Sequence, residues 1–359
     1  MHTEHKNQTK IYLDRNESQF GPAQECFNIL QHATKDQLSN YSRDFARGVK
    51  SVLSETLAQE QGVPETNILL SYGSEDMLKQ IVHCYLAKDE IIMIPQHSWW
   101  YYKSVASEVG GTVVEYPMHA EGERYTYNLH EIISLVRFVK PRLLLFASPN
   151  NPTGNSLSID DVKLLVDECS NTRVVIDEAY FGFTDISHDV MPQLTLQYPH
   201  LAVLRTFSKL YALAGIRIGY AFVGKDYQNL ITFSARYLGY NVLSEELALA
   251  ALRDTKYYRT LAATIAAERE RYYQFFRTVE GCTAYRTDAN FVLVKLPHED
   301  CDSLKKHLAQ TGLIIKFFSE KEFPNHVRIT IGTPEQNSLL LREMKKYFAG
   351  KSALVSEEG

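Results

Sequence analysis

Five short apolar runs in this chain are each followed at once by a polar cluster. Ile68 to Leu70 leads into Ser71, Tyr72, Gly73, Ser74 and Glu75, and Ile91 to Ile94 leads into Pro95, His97, Ser98 and Trp99. Leu143 to Phe146 leads into SPNNPTG (Ser148 to Gly154), Val174 to Ile176 into DEAY (Asp177 to Tyr180), and Leu201 to Leu204 into RTFSK (Arg205 to Lys209). Continuous apolar runs of this length, bounded by turn residues, read as strands buried on both faces. Segments between them carry helical spacing, as in Met77, Ile81, Val82 and Tyr85 or in Val162, Leu165 and Val166. The step from Asn151 to Asp177 is 26 residues and from Asp177 to Lys209 is 32, enough for a strand, a crossover and the next strand in the same direction. An amide, a carboxylate and an amine are thereby expected at one edge of a parallel sheet, where open α/β folds bind ligands.

The alternation predicts an α/β domain over residues 35–240, with a mainly parallel sheet flanked by helices. After Asn241 the pattern changes to a long helical stretch, Ser244 to about Val279, broken by Gly281. Strand-like Phe291 to Val294, a helix around Ser303 to Leu308, strand-like Val327 to Ile331 and a closing helix from Pro334 to Phe348 follow. Residues 241–359 therefore read as a smaller α+β domain. The N-terminal segment 1–34 is expected to join it through Ile11 to about Thr34, and the tail Ser352 to Gly359 to fray.

Charge and composition narrow the partners. A net charge of −5 over 359 residues, with no long basic run, argues against a nucleic-acid surface and favours a small molecule. Five cysteines, odd in number and far apart, form neither a disulfide framework nor a zinc pattern. They read as reduced thiols of a cytoplasmic protein, and no metal is expected. The start, MHTEHKNQTK, has no apolar targeting core, and no later stretch approaches membrane-spanning length, so no membrane partner is expected.

Lys209 does not stand alone. Ser208, Thr206 and Arg217 could surround one phosphate, because the planar guanidinium fork donates two hydrogen bonds at once. Gly73 and Ser74, at a strand end and a helix start, add backbone N–H groups and a positive dipole end for the same anion. Asp177 closes an apolar strand, so its carboxylate should face a cation, and a protonated pyridine nitrogen fits. Tyr180 and Asn151 could then donate to a phenolate oxygen on that ring, and Trp99 could stack on its face. A phosphate, a protonated ring nitrogen, a phenolate and an aldehyde that needs an amine together describe pyridoxal phosphate.

The motifs now assemble in order: DRNESQFGP (Asp14 to Pro22, similar to NENPxGP), YGSEDMLKQI, SPNNPTG, DEAY, RTFSKLYALAGIRIGY and VRITIGT (Val327 to Thr333). Together they resemble the fold type I pyridoxal-phosphate-dependent aminotransferases of class I and II, and most of all the histidinol-phosphate aminotransferase branch. The resemblance implies the fold type I α/β architecture, a large coenzyme-binding domain and a small one. It implies that Lys209 binds the coenzyme covalently and shuttles the proton, that Asp177 pairs with the ring nitrogen, and that Tyr180 and Asn151 hold the ring oxygen. Thr206, Ser208, Arg217, Gly73, Ser74 and the Glu75 amide would hold the phosphate. Tyr41, in NYSRDF, resembles the tyrosine that reaches the neighbouring subunit's phosphate, which implies a homodimer. Arg328 resembles the arginine that binds the donor's carboxylate or phosphate, and Asn16, Phe20 and Lys316 would complete the substrate side.

The implied reaction is a ping-pong transfer between an amino donor and a keto acid or aldehyde acceptor. Histidinol phosphate with 2-oxoglutarate is the leading pair and aromatic amino acids the second. Lys316 stands where that branch commonly has arginine, keeping a cation without the fork. Lys209 should have a depressed pKa, from adjacent Arg217 and partial burial. The same coenzyme core serves decarboxylases and carbon–sulfur lyases. A non-catalytic regulator is disfavoured, since the resemblance starts near Ile11 and the charge offers no DNA surface.

Overall fold

The computed structural model describes residues 10–43, 51–184, 189–297 and 301–357. The opening nine residues and the last two of the tail lie outside the described residues. All five apolar runs are strands of one seven-stranded sheet, whose spatial order is Ile68–Ser71, Gly219–Val223, Leu201–Thr206, Arg173–Asp177, Leu143–Ala147, Ile91–Pro95 and Thr112–Tyr116. Successive residues of one strand feed opposite cores: Leu144 and Phe146 pack on one face, and Leu143, Leu145 and Ala147 on the other. A sheet covered on both faces needs apolar side chains at every position, which is why these strands are uninterrupted in the sequence.

Six strands run one way, and Gly219–Val223 is antiparallel to both neighbours. Its apolar run, Tyr220 to Val223, is bounded by Gly219 and Gly224. It follows the Arg217 loop with no crossover helix between, so it can only turn back against the strand before it. Gly219 lets it close in, since a Cβ there would lie 2.8 Å from the backbone of Gly73 and Ser74.

A second sheet has five strands in the order Ile11–Leu13, Leu313–Phe317, His326–Thr330, Phe291–Lys295 and Thr283–Tyr285. The N-terminal strand pairs in parallel with Leu313–Phe317, while the helix Gln24–Gln31 packs against the helix Val242–Arg253. The stretch expected as one long helix is two, Val242–Arg253 and Thr255–Arg277. Asp254 divides them, its carboxylate accepting from the Tyr257 backbone N–H at 3.0 Å as an N-cap. The closing helix runs past Phe348 to Glu357. Among the described residues no helix is long and apolar enough to cross a membrane.

Candidate active site

A cavity of about 910 Å³ opens at the edge where the polar clusters leave the large sheet, covered from the other side by residues 14–17 and by the Lys316 and Arg328 strands. One end is built for an anion. Gly73, at φ +92°, precedes the helix Ser74–Tyr85, whose N-terminus has no side-chain cap, and Ser74 and Glu75 line the cavity. Thr206 Oγ1 donates to Ser208 Oγ at 2.9 Å and accepts from the Ser208 backbone N–H at 3.1 Å. Arg217 lays its guanidinium against Gly73, where a Cβ would come within 2.7 Å of Nη2. Its Nη1 reaches Ser208 Oγ at 3.5 Å, and the Glu75 carboxylate is 3.7 Å from Nη2. Two hydroxyls, a guanidinium and an uncapped helix N-terminus converge on one point.

Next to this cradle lie the acid and the amine. Asp177 is 5% exposed, and its two oxygens accept from the Tyr102 hydroxyl at 2.9 Å and the Ala179 backbone N–H at 3.0 Å. Burial pushes its pKa up in spite of both bonds and of Lys209 nearby. Lys209 Nζ donates to the Arg15 carbonyl at 3.2 Å and lies 5.7 Å from the Tyr180 ring centre. Burial first, and Arg328 next, push its pKa down to about 8. Arg217, expected from the sequence to act on Lys209, contributes less than Arg328, whose approach depends on the second sheet and not on nearness in sequence.

Tyr180 is buried with its ring edge-on to Phe291, centroids 5.2 Å apart. Its hydroxyl oxygen accepts from Asn16 Nδ2 at 2.7 Å. Arg328 Nη1 donates to Asn151 Oδ1 and Nη2 to the Asp14 carbonyl at 2.7 Å, while its buried Nε has no partner among the described residues. Lys316 is the register partner of Arg328 on the neighbouring strand and pairs with Glu320 at 3.8 Å. Trp99 lines the cavity and meets Tyr102 edge-on, centroids 5.8 Å apart.

Three sequence-based expectations fare differently. Phe20 packs on the main core and does not line the cavity. Tyr41 stands 70% exposed outside the cavity lining, and Asp44 and Phe45 of its motif lie outside the described residues. Asn16, expected on the substrate side, does line the cavity, and its amide is engaged with Tyr180 and Thr330.

Sequence reasoning missed Tyr102, the last of four consecutive aromatics from Trp99. Its place in a run of four aromatics says that one of them is buried, without saying that it meets Asp177. It also missed Arg205, fully buried, which donates to Glu178 at 2.7 Å and to both Asp189 oxygens at 2.7 and 2.9 Å, with its guanidinium 3.5 Å over the Phe181 ring centre.

Residues 9–343 match the family model described as aminotransferase class I and II. The chain is 30% identical over 338 residues to a histidinol-phosphate aminotransferase from Ruminiclostridium cellulolyticum, covering 93% of this chain and 92% of that one. Its fold is similar to that of histidinol-phosphate aminotransferase from Sinorhizobium meliloti in complex with pyridoxal-5'-phosphate, at a TM-score of 0.83 and 23% identity over 95% of this chain and 91% of that one. The fold of L-threonine-O-3-phosphate decarboxylase from Porphyromonas gingivalis is also similar, with a TM-score of 0.78 and 20% identity over 94% of this chain and 99% of that one.

Proposed function

The chain belongs to the aminotransferase class I and II family, and on that premise we propose that it is a pyridoxal-phosphate-dependent enzyme exchanging an amino group between histidinol phosphate and 2-oxoglutarate. One observation carries this reading: a lysine whose pKa is pushed down to about 8 shares a cavity with a buried carboxylate and an anion cradle. The residues fit the coenzyme, because the cradle exists only where Gly73 and Gly219 leave room for Arg217 and for the helix N-terminus. When bound, pyridoxal phosphate supplies an aldehyde for an amine and a ring that accepts the charge left at the substrate Cα.

The chain's own groups do the rest. Thr206, Ser208, Arg217 and the N–H groups at Ser74 and Glu75 hold the phosphate. Asp177 gains the cation that its burial calls for and keeps the ring nitrogen protonated. Asn151 and Tyr180 hold the ring oxygen, and Trp99 covers the ring face. Lys209, whose pKa burial and Arg328 push down to about 8, would take the proton from Cα and return it to the coenzyme carbon that bore the aldehyde. Arg328 offers its fork to a carboxylate or phosphate, and Lys316, its register partner, adds a second cation for a phosphate-bearing donor. On this reading the enzyme is a cytoplasmic homodimer in which exposed Tyr41 reaches the neighbouring cavity.

Stopped-flow mixing of the coenzyme-bound protein with histidinol phosphate, phenylalanine, tyrosine or glutamate tests the substrate. Histidinol phosphate should discharge the visible absorbance fastest. A faster reaction with phenylalanine or tyrosine would make the enzyme an aromatic aminotransferase. Absorbance that returns without any acceptor would identify a decarboxylase or lyase.

A further inference from the structure

Asn16 is an asparagine at φ +57°, 1% exposed, with every polar group engaged. Its backbone N–H donates to Thr330 Oγ1 at 2.9 Å, and its carbonyl accepts from Asn290 Nδ2 at 3.1 Å. Thr330 Oγ1, having accepted that N–H, turns its own hydrogen to Asn16 Oδ1 at 3.2 Å. The amide oxygen thus faces Thr330 and Nδ2 faces Tyr180 Oη, 2.7 Å away. An oxygen that receives this N–H keeps its own hydrogen for another acceptor. Tyr180 lines the cavity, so that hydrogen is left for whatever lies there.

We propose that Asn16 is a positioning residue that sets the direction of the Tyr180 hydroxyl, so that it donates into the cavity to the coenzyme's ring oxygen. The inference rests on the pyridoxal phosphate reading above and gives Asn16 a role other than substrate contact. The residue type suits that role, since asparagine tolerates the left-handed backbone and its amide offers a donor and an acceptor on opposite sides. A carboxylate of the same shape would accept from Tyr180 and turn its hydrogen away from the cavity.

The pH dependence of the visible absorbance of the coenzyme-bound protein, measured without substrate, tests this. In Asn16→Asp the ring oxygen loses a donor and holds more negative charge, so the proton on the adjacent Lys209 nitrogen is held more tightly. The midpoint should rise by roughly one pH unit. Asn16→Gly, which keeps the backbone conformation and loses the amide, should move it in the same direction by less. In a Tyr180→Phe background Asn16→Gly should leave the midpoint where Tyr180→Phe alone puts it, and Asn16→Asp should move it less than in the parent, by the through-space effect of its charge alone. An unchanged midpoint in both Asn16 variants overturns the proposal, and so does an equal shift with and without the Tyr180 hydroxyl. A parent protein with no visible band after pyridoxal phosphate is added would defeat the coenzyme reading instead.

Discussion

Two clusters of buried charge sit beside each other at the edge of the large sheet, separated by single steps along the chain: Asp177 and Thr206 serve one, Glu178 and Arg205 the other. In the second, the central cation is fully answered. Arg205 makes three hydrogen bonds of 2.7 to 2.9 Å to Glu178 and Asp189 and covers the Phe181 ring. Burial opposes its charge, and the two carboxylates more than offset that, holding its pKa up. The first cluster is left short. Burial drives Asp177 toward its protonated form and Lys209 toward its free amine, and Arg328 keeps a buried Nε with no acceptor among the described residues. Burial raises the pKa of Glu178 as it raises that of Asp177, so neither burial nor a raised carboxylate marks chemistry by itself; a cavity that adds an amine driven toward its free form and a guanidinium nitrogen without an acceptor among the described residues does. A satisfied cluster supplies cohesion, whereas an unsatisfied one costs stability in exchange for reactivity.

Substitution on the two sides should separate those roles. Lys209→Ala should cost on the order of 10⁴-fold or more in amino transfer and remove the visible absorbance of the bound coenzyme. A variant that retained the band would deny Lys209 its role. Arg205→Met should leave two buried carboxylates without a cation and cost about 3–5 kcal/mol in denaturant unfolding. The pH midpoint of the visible band should meanwhile stay put, and a shift would mean that the two clusters are coupled.

Asp177→Ala should lose roughly 10²-fold or more in turnover. The same site should show the opposite sign in stability. Because the folded pKa of Asp177 lies above its ordinary value, the stability it contributes is full below that ordinary value and is lost as pH rises through the folded one. At neutral pH the coenzyme-free Asp177→Asn protein should therefore melt higher than the parent, with the gain vanishing in acid. A lower melting temperature at neutral pH would make Asp177 a stabilising residue like Arg205.

Lys209 predicts a further pH effect. Coenzyme uptake needs its free amine, so the uptake rate should rise with pH around a midpoint near 8. A midpoint near ~10, that of an unshifted lysine, would mean that burial is not felt. The smallest effect belongs to Tyr102→Phe, which removes one hydrogen bond to Asp177 and should cost about 1 kcal/mol, a few-fold in turnover. Full activity would reduce Tyr102 to packing.

The same comparison explains what the sequence made legible. Strands buried on both faces are written as unbroken apolar runs, and parallel ones deliver their C-terminal ends to one edge, so Asn151, Asp177 and Lys209 could be brought together by counting. The Arg205 cluster could not. Whether an arginine one step before Thr206 points into a core or into solvent depends on where Asp189 returns, and periodicity does not encode that. The approach of Arg328 to Lys209, of Tyr102 to Asp177 and of Asn16 to Tyr180 is likewise set by packing between distant segments. Asp254 was overlooked for a local reason: a capping carboxylate inside a stretch of helix-forming composition looks like one more polar helix residue until the break is seen.

The bond from the Asn16 backbone to Thr330 joins residues 314 positions apart. At about 5–20 residues per second of synthesis, Asn16 waits on the order of 15–60 s for the residue that orients it. Every strand of the large sheet is translated in that interval, so a nascent chain can own a finished floor and still lack a working centre. Translation stalled just short of Thr330 would give a partly assembled protein unable to complete its catalytic edge, and quality control would meet it as an intermediate rather than as a weak enzyme.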